Sequence, residues 1–186
     1  MSDFGSVRTK LGEMTAKERS YLYLTDPVGS YIQVGGFGDA FTALNMSMLE
    51  CFFSNRYAKR GDLFEGLSIW SDDKYRNLQG TCPVISLTFA DVKSGTCDGA
   101  IARIKQNLTD LYNQNEFLLK GDLLNAKERE QYDAVRPDMK NEEAEVAVRA
   151  LMGYLSRYYG KKVIVLLDEY DTPLQEAYAN GFWEEM

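Results

Sequence analysis

Apolar residues along the chain alternate between short unbroken runs and longer stretches with helical spacing. Residues 163–167 (VIVLL) are apolar throughout, and residues 82–89 (CPVISLTF) are β-rich and bounded by Gly80 and by Lys93-Ser94-Gly95. Both have the length of a strand, and runs of this kind suit strands buried on both faces. Residues 30–34 read as a third short strand, running directly into Gly35-Gly36-Phe37-Gly38. Helical patterns lie between them. Residues 41–53 have the length and apolar content of a buried helix. Ile101, Ile104, Leu108 and Leu111 fall on one stripe of a second helix, with Asp98 near its start as the expected cap. A third, over residues 142–159, opens with acidic residues, places Ala144, Val148, Leu151 and Leu155 on one face and stops at Gly160. Strands alternating with helices predict an α/β fold, a parallel sheet flanked by helices on both faces.

Composition narrows the function classes. The chain has 186 residues, enough for one domain with a substantial core, and its 45% hydrophobic and 26% charged content is ordinary for a soluble protein. A formal net charge of -7 argues against a surface that neutralises nucleic-acid phosphates by itself, so no direct nucleic-acid binding is expected. Cys51, Cys82 and Cys97 lack metal-ligand spacing, and with no histidine in the chain neither a zinc site nor a Ser-His site can be assembled. Reduced thiols, no signal-peptide pattern in residues 1–20 and no membrane-span-length apolar run predict a cytoplasmic protein. The four prolines are scattered singly, and no repeat or low-complexity tract is present.

The sharpest chemical feature is the carboxylate pair Asp168-Glu169 that ends the apolar run. At the carboxyl end of a central parallel strand, such a pair faces the crevice where open α/β sheets bind ligands. In P-loop ATPases an aspartate at this place holds Mg²⁺, and a neighbouring glutamate polarises the attacking water. The plainer reading is a buried strand ending in solvated charge. The glycine cluster offers the other half of such a site. Gly35, Gly36 and Gly38 precede a helix, and Thr42 stands where a hydroxyl would meet Mg²⁺. Ala40 and Phe41 occupy the Gly-Lys positions, no lysine or arginine lies between residues 30 and 55, and Asp39 opposes phosphate. Judged alone, the cluster is equally a glycine turn feeding a core helix. Residues 63–67 (LFEGL) read as a packed turn, and Tyr158-Tyr159 as core or surface aromatics.

Four segments in order, FTALNMSMLECFF (41–53), LFEGLSI (63–69), CPVISLTFADVK (82–93) and YGKKVIVLLDEYDTPLQEAY (159–178), resemble the AAA-ATPase-like proteins of bacteria and archaea. Members of that family join an N-terminal ATPase domain to a C-terminal PD-(D/E)XK-type nuclease domain. The resemblance implies a P-loop NTPase-like fold over residues 30–186, with residues 1–29 unassigned. It implies Glu169 as the catalytic residue and Asp168 as the Mg²⁺ ligand of a Walker B pair, and Gly35, Gly36, Gly38 and Thr42 in the ATP loop. The sequence departs from the family where a loop ending Phe-Gly-Lys-Ser/Thr is expected and GGFGDAFTA stands instead. The family's upstream Asp-Lys-Thr segment has no counterpart either, and the pattern stops shortly after Walker B. An incomplete sheet with an open edge is therefore expected, in a fragment or in a core that stands alone by dimerising.

Two functions follow. One is an ATP- and Mg²⁺-binding domain with little or no hydrolysis. The other is a non-catalytic protein-binding module on the same scaffold, a decoy or inhibitor, whose acidic surface and lost lysine suit a protein partner or a homodimer. A standalone nuclease lacks the spaced Asp…Glu-x-Lys arrangement it would need.

Overall fold

The computed structural model describes residues 30–33 and 39–186, and side chains from residue 46 onward. The glycine segment 34–38 and residues 1–29 lie outside the described residues. The architecture is mixed helix and strand. Strands β1 (Ser30–Gln33), β2 (Val84–Thr88) and β3 (Ile164–Asp168) form a parallel sheet in the order β1-β3-β2. Around it lie helices α1 (Asp39–Phe53), α2 (Asp73–Arg76), α3 (Cys97–Asn113), α4 (Ala126–Asp133), α5 (Asn141–Tyr159) and α6 (Thr172–Asn180). None of the described helices is long and apolar enough to cross a membrane.

β3 is central because its residues are apolar on both sides, and each side meets a different cluster. Val163 and Val165 point into a cluster with Ile85, Leu87, Leu108, Leu111, Leu151 and Leu155, the covering layer of α3 and α5. Ile164 and Leu166 point the other way, onto Phe52 and Phe53 of α1 and onto Phe64, Ile69 and Tyr75. In the first cluster two tyrosine hydroxyls are buried and satisfied. Tyr112 donates to the Ala147 carbonyl at 2.8 Å and Tyr132 to the Tyr112 carbonyl at 2.6 Å. Burial pushes the titration of both phenols up.

The second cluster depends on a loop that closes on itself. After α1 the chain runs through three short 3₁₀ turns and α2, which Asp72 caps by accepting from the Lys74 N–H at 3.0 Å. It then returns so that Gly80 donates to the Phe52 carbonyl (2.8 Å), Cys82 donates to Phe53 (2.9 Å) and Asn55 donates to Cys82 (2.9 Å). Residues 63–67 are the packed turn expected, with Phe64 buried and Leu63 and Leu67 exposed.

Two expectations are corrected. The cap of α3 is Thr96, whose side chain accepts from the Gly99 N–H at 3.2 Å, while Asp98 sits inside the first turn, where its charge favours the helix N-terminus. β2 is not buried on both faces throughout. Val84, Ile85 and Leu87 are buried, but Ser86 and Thr88 are exposed, because the aromatic cluster covers that face only as far as Val84. The expected stripe of α5 faces one core, with Leu151 and Leu155 buried in it and Ala144 and Val148 half-buried against it, and Ala147, Met152 and Tyr154 extend the buried face. Gly160 ends α5 as expected, in the left-handed conformation at φ 61.

Candidate functional site

Parallel pairing brings the chemistry to one end of the sheet. The register sets Thr88 opposite Asp168, and the Phe89 N–H donates to the Asp168 carbonyl at 2.9 Å. On the other side of β3, Gln33 lies opposite Leu167, the last described pair on that side. Asp168 is half-buried, and its carboxyl is held above the ordinary carboxylate range, first by burial and then by the neighbouring Glu169 charge, with the Glu169 N–H partly offsetting both.

Immediately after β3 the backbone turns through Glu169 at φ 49, the one non-glycine with positive φ among the described residues. The Thr172 N–H donates to the Glu169 carbonyl at 3.0 Å and its hydroxyl donates to the Glu169 carboxylate at 3.1 Å. Pro173 opens α6, where its fixed φ suits the first turn and its missing N–H costs nothing. Tyr170 and Asp171 are exposed; the Asp171 carboxylate accepts from Gln175 at 2.8 Å.

The end of β2 is fixed from α3. The Asn107 amide donates both to the Thr88 carbonyl (3.1 Å) and to the Asp91 carboxylate (2.9 Å), while the Thr88 hydroxyl accepts from the Ala90 N–H (3.2 Å). Thr88, Asn107 and Thr172 were not singled out from the sequence. Only the register puts Thr88 beside Asp168, and no local spacing encodes it.

Of the expected site residues, Asp168 and Glu169 stand together at the carboxyl end of the sheet. Thr42 lies in the first turns of α1, near the same end of β1, with its side chain outside the described set. Gly35, Gly36 and Gly38 lie outside the described residues. Among the described residues no group of three or more Cys, Asp or Glu side chains is placed to hold a metal ion. The donor set fits a hard cation that keeps most of its water, since Mg²⁺ typically takes one or two carboxylates and fills its remaining positions with water and phosphate oxygens. Asp168 would be the direct ligand. Its raised carboxyl marks a negative charge with no cationic side chain among the causes that set it.

The family model described as predicted AAA-ATPase matches residues 37–186. The chain belongs to the AAA-ATPase-like family. No curated protein and no solved structure matches it. The family match takes in Asp168, Glu169 and Thr172 as well as α1, and it ends with the chain.

A stability consequence for this AAA-ATPase-like chain follows from the sign of the Asp168 shift. A carboxyl whose folded value is raised binds its proton more tightly folded than unfolded, so its charge destabilises the fold above the folded value, and the penalty disappears as pH falls below the unfolded one. Asp168→Asn is therefore expected to raise the thermal midpoint at neutral pH. The gain over the parent should shrink in acid, as read by calorimetry across the carboxylate range.

Proposed function

We propose that this chain is a P-loop NTPase-type domain that binds ATP with Mg²⁺ and hydrolyses it slowly or not at all. One observation carries the reading: the Asp168-Glu169 pair closes a central parallel strand whose neighbour β1, described to Gln33 opposite Leu167, precedes the glycine segment and α1 in the sequence. A strand, a glycine-bearing segment and a helix beside an acidic strand end are the parts such a site needs. Asp168 would ligate the cation and Glu169 would orient a water. Backbone amides of the segment holding Gly35, Gly36 and Gly38 would meet the phosphates, with the Thr42 hydroxyl toward the cation. Without a lysine between residues 30 and 55, transition-state charge is poorly neutralised, which favours binding over turnover.

A second reading, a non-catalytic protein-binding module on the same scaffold, draws on a different observation. Leu174 and Tyr178, one turn apart on α6, are exposed at 43% and 80%, and Tyr170, in the turn before the helix and next to the acidic pair, is exposed at 43%. Such a group is an unusual expense of apolar surface in contact with water. In this reading the partner is a protein or a second copy of the chain.

Calorimetric titration with Mg-ATP separates the two. The first reading expects saturable heat that Asp168→Asn weakens by about ten-fold or more, the effect of losing one charged ligand. No heat at millimolar nucleotide would leave the protein-binding reading alone.

A further inference from the structure

Helix α5 carries a glycine that its own fold does not require. Gly153 lies in the helix interior, where only proline is a poorer choice. Neither a left-handed backbone nor a close neighbour accounts for it, since a Cβ added there would meet nothing within 4 Å. The missing side chain leaves open a groove of about 370 Å³ between α4 and α5, with Arg149 one turn before Gly153 and Arg157 one turn after it. Donors outnumber acceptors in this groove. The one carboxylate that lines it, Glu128, is engaged on both oxygens, accepting from Arg157 at 2.8 Å and from the Asn125 N–H at 3.0 Å. Gln131 uses its amide oxygen to accept from the Tyr154 hydroxyl at 3.1 Å, which leaves its NH₂ donors over. The Arg149 guanidinium and the Ser156 hydroxyl have no partner among the described residues. Arg157 lies over the Tyr154 ring at 5.6 Å and gives Glu128 only part of its fork of donors. Glu145, one turn before Arg149, is a counter-charge on the same helix face, and an exposed pair at that spacing ties an arginine down only weakly.

We propose that the α4–α5 groove binds an oxyanion, the phosphate or carboxylate of a small molecule, held over Gly153 by Arg149, the Gln131 amide and the Ser156 hydroxyl. A guanidinium fork beside neutral donors matches the geometry of either group. Arg157 adds positive charge from the same wall of the groove, and the bare glycine lets the ligand reach the helix backbone. On a chain with a formal net charge of -7, attraction to an anion is local to such an excess of donors, so the affinity falls as salt rises. The site shares no residue with the Asp168-Glu169 end of the sheet and does not depend on nucleotide binding there.

The test titrates the whole chain, free of metal and nucleotide, with inorganic pyrophosphate and separately with citrate, followed by ¹⁵N–¹H correlation spectra. The Gly153 amide and the Arg149 Nε–H should shift and saturate with at least one probe, and which probe does so tells a phosphate ligand from a carboxylate one. Arg149→Gln should weaken binding about ten-fold or more, the net worth of one charge-assisted bond. Gln131→Glu keeps the oxygen that accepts from Tyr154 but sets a negative charge where a donor stood, and should weaken binding at least as much. Gly153→Leu should fill the groove and abolish the Arg149 shift. Arg103→Gln removes an exposed charge of α3 outside the groove and should match the parent. Where leucine disturbs α5, the exposed positions 149 and 131 carry the test by themselves. Three results overturn the proposal: no shift at Gly153 and Arg149 with either probe, shifts confined to the start of α1, or a loss in Arg103→Gln equal to that in Arg149→Gln.

Discussion

Phe52→Ala is expected to destabilise the protein by about 3–5 kcal/mol, the range for removing a fully buried phenyl ring. Phe52 is 0% exposed and packs edge-on against Phe53 at 5.0 Å and against Phe64 at 5.1 Å between ring centroids. Its ring joins α1 to the 3₁₀ turns, and together they cover the Ile164/Leu166 side of β3. Alanine would leave a void lined by aromatic edges and aliphatic side chains, which cannot collapse without moving β3. Urea unfolding should show a lower midpoint with an unchanged slope. Against a typical total of about 5–15 kcal/mol, this loss would leave the variant only marginally folded.

Gly80→Ala should cost about 3 kcal/mol although it adds a single carbon, because two mechanisms act together. Gly80 has φ +65, and an added Cβ would stand 2.3 Å from the Cα of Ala58. That neighbour is backbone, so no rotamer change relieves the overlap. Moving Gly80 away would stretch its 2.8 Å bond to the Phe52 carbonyl and then the Cys82 bond to Phe53. Gly66→Ala is the matched control. Gly66 has φ +83 with nothing within 4 Å of the added atom, so that variant should lose only the backbone preference of about 1 kcal/mol. Comparing the two by urea unfolding isolates the steric part. Because Gly80 donates to Phe52, the Gly80→Ala and Phe52→Ala losses should sum to more than the double variant shows.

Both positions also mark where reading the chain as a string succeeds and where it stops. The unbroken run before Asp168 could only be an interior strand, and Gly160 after an amphipathic stretch could only be a helix end. Those signals are local and physical, and they placed β3 and α5. Helix α4 carried no comparable stripe, since Tyr132 is its one buried residue. Its signature lay in the cap, where Asn125 accepts from the Glu128 N–H at 3.1 Å and Glu128 accepts from the Asn125 N–H at 3.0 Å. Asn-x-x-Glu was there to be read. Helix α6 was equally readable from Thr-Pro at its start and Gly181 at its end.

For the site, the acidic pair was legible because it interrupts an apolar run. The Thr172 bond and the φ of Glu169 were not, because both depend on where the chain turns after β3. Thr88 became visible only once parallel pairing was known, since a shift of one residue would have turned it to the opposite face. Asp98 was misread as a cap because Asp and Thr both suit that role, and only geometry chooses between Thr96 and a residue two positions later.

The strand order has a temporal side. Within the described sheet β1 and β2 are each paired to β3, which is the last of the three to leave the ribosome. While the chain is being made, α1, the closing loop, α3 and α5 all emerge before either early strand has its partner. Their apolar faces must therefore wait, half-assembled, for residues 164–168 to arrive. Such non-local pairing is slow to form and leaves sticky surface exposed in the interval. The nascent protein would then gain its sheet in one late step, with β3 inserted between two strands that were already made.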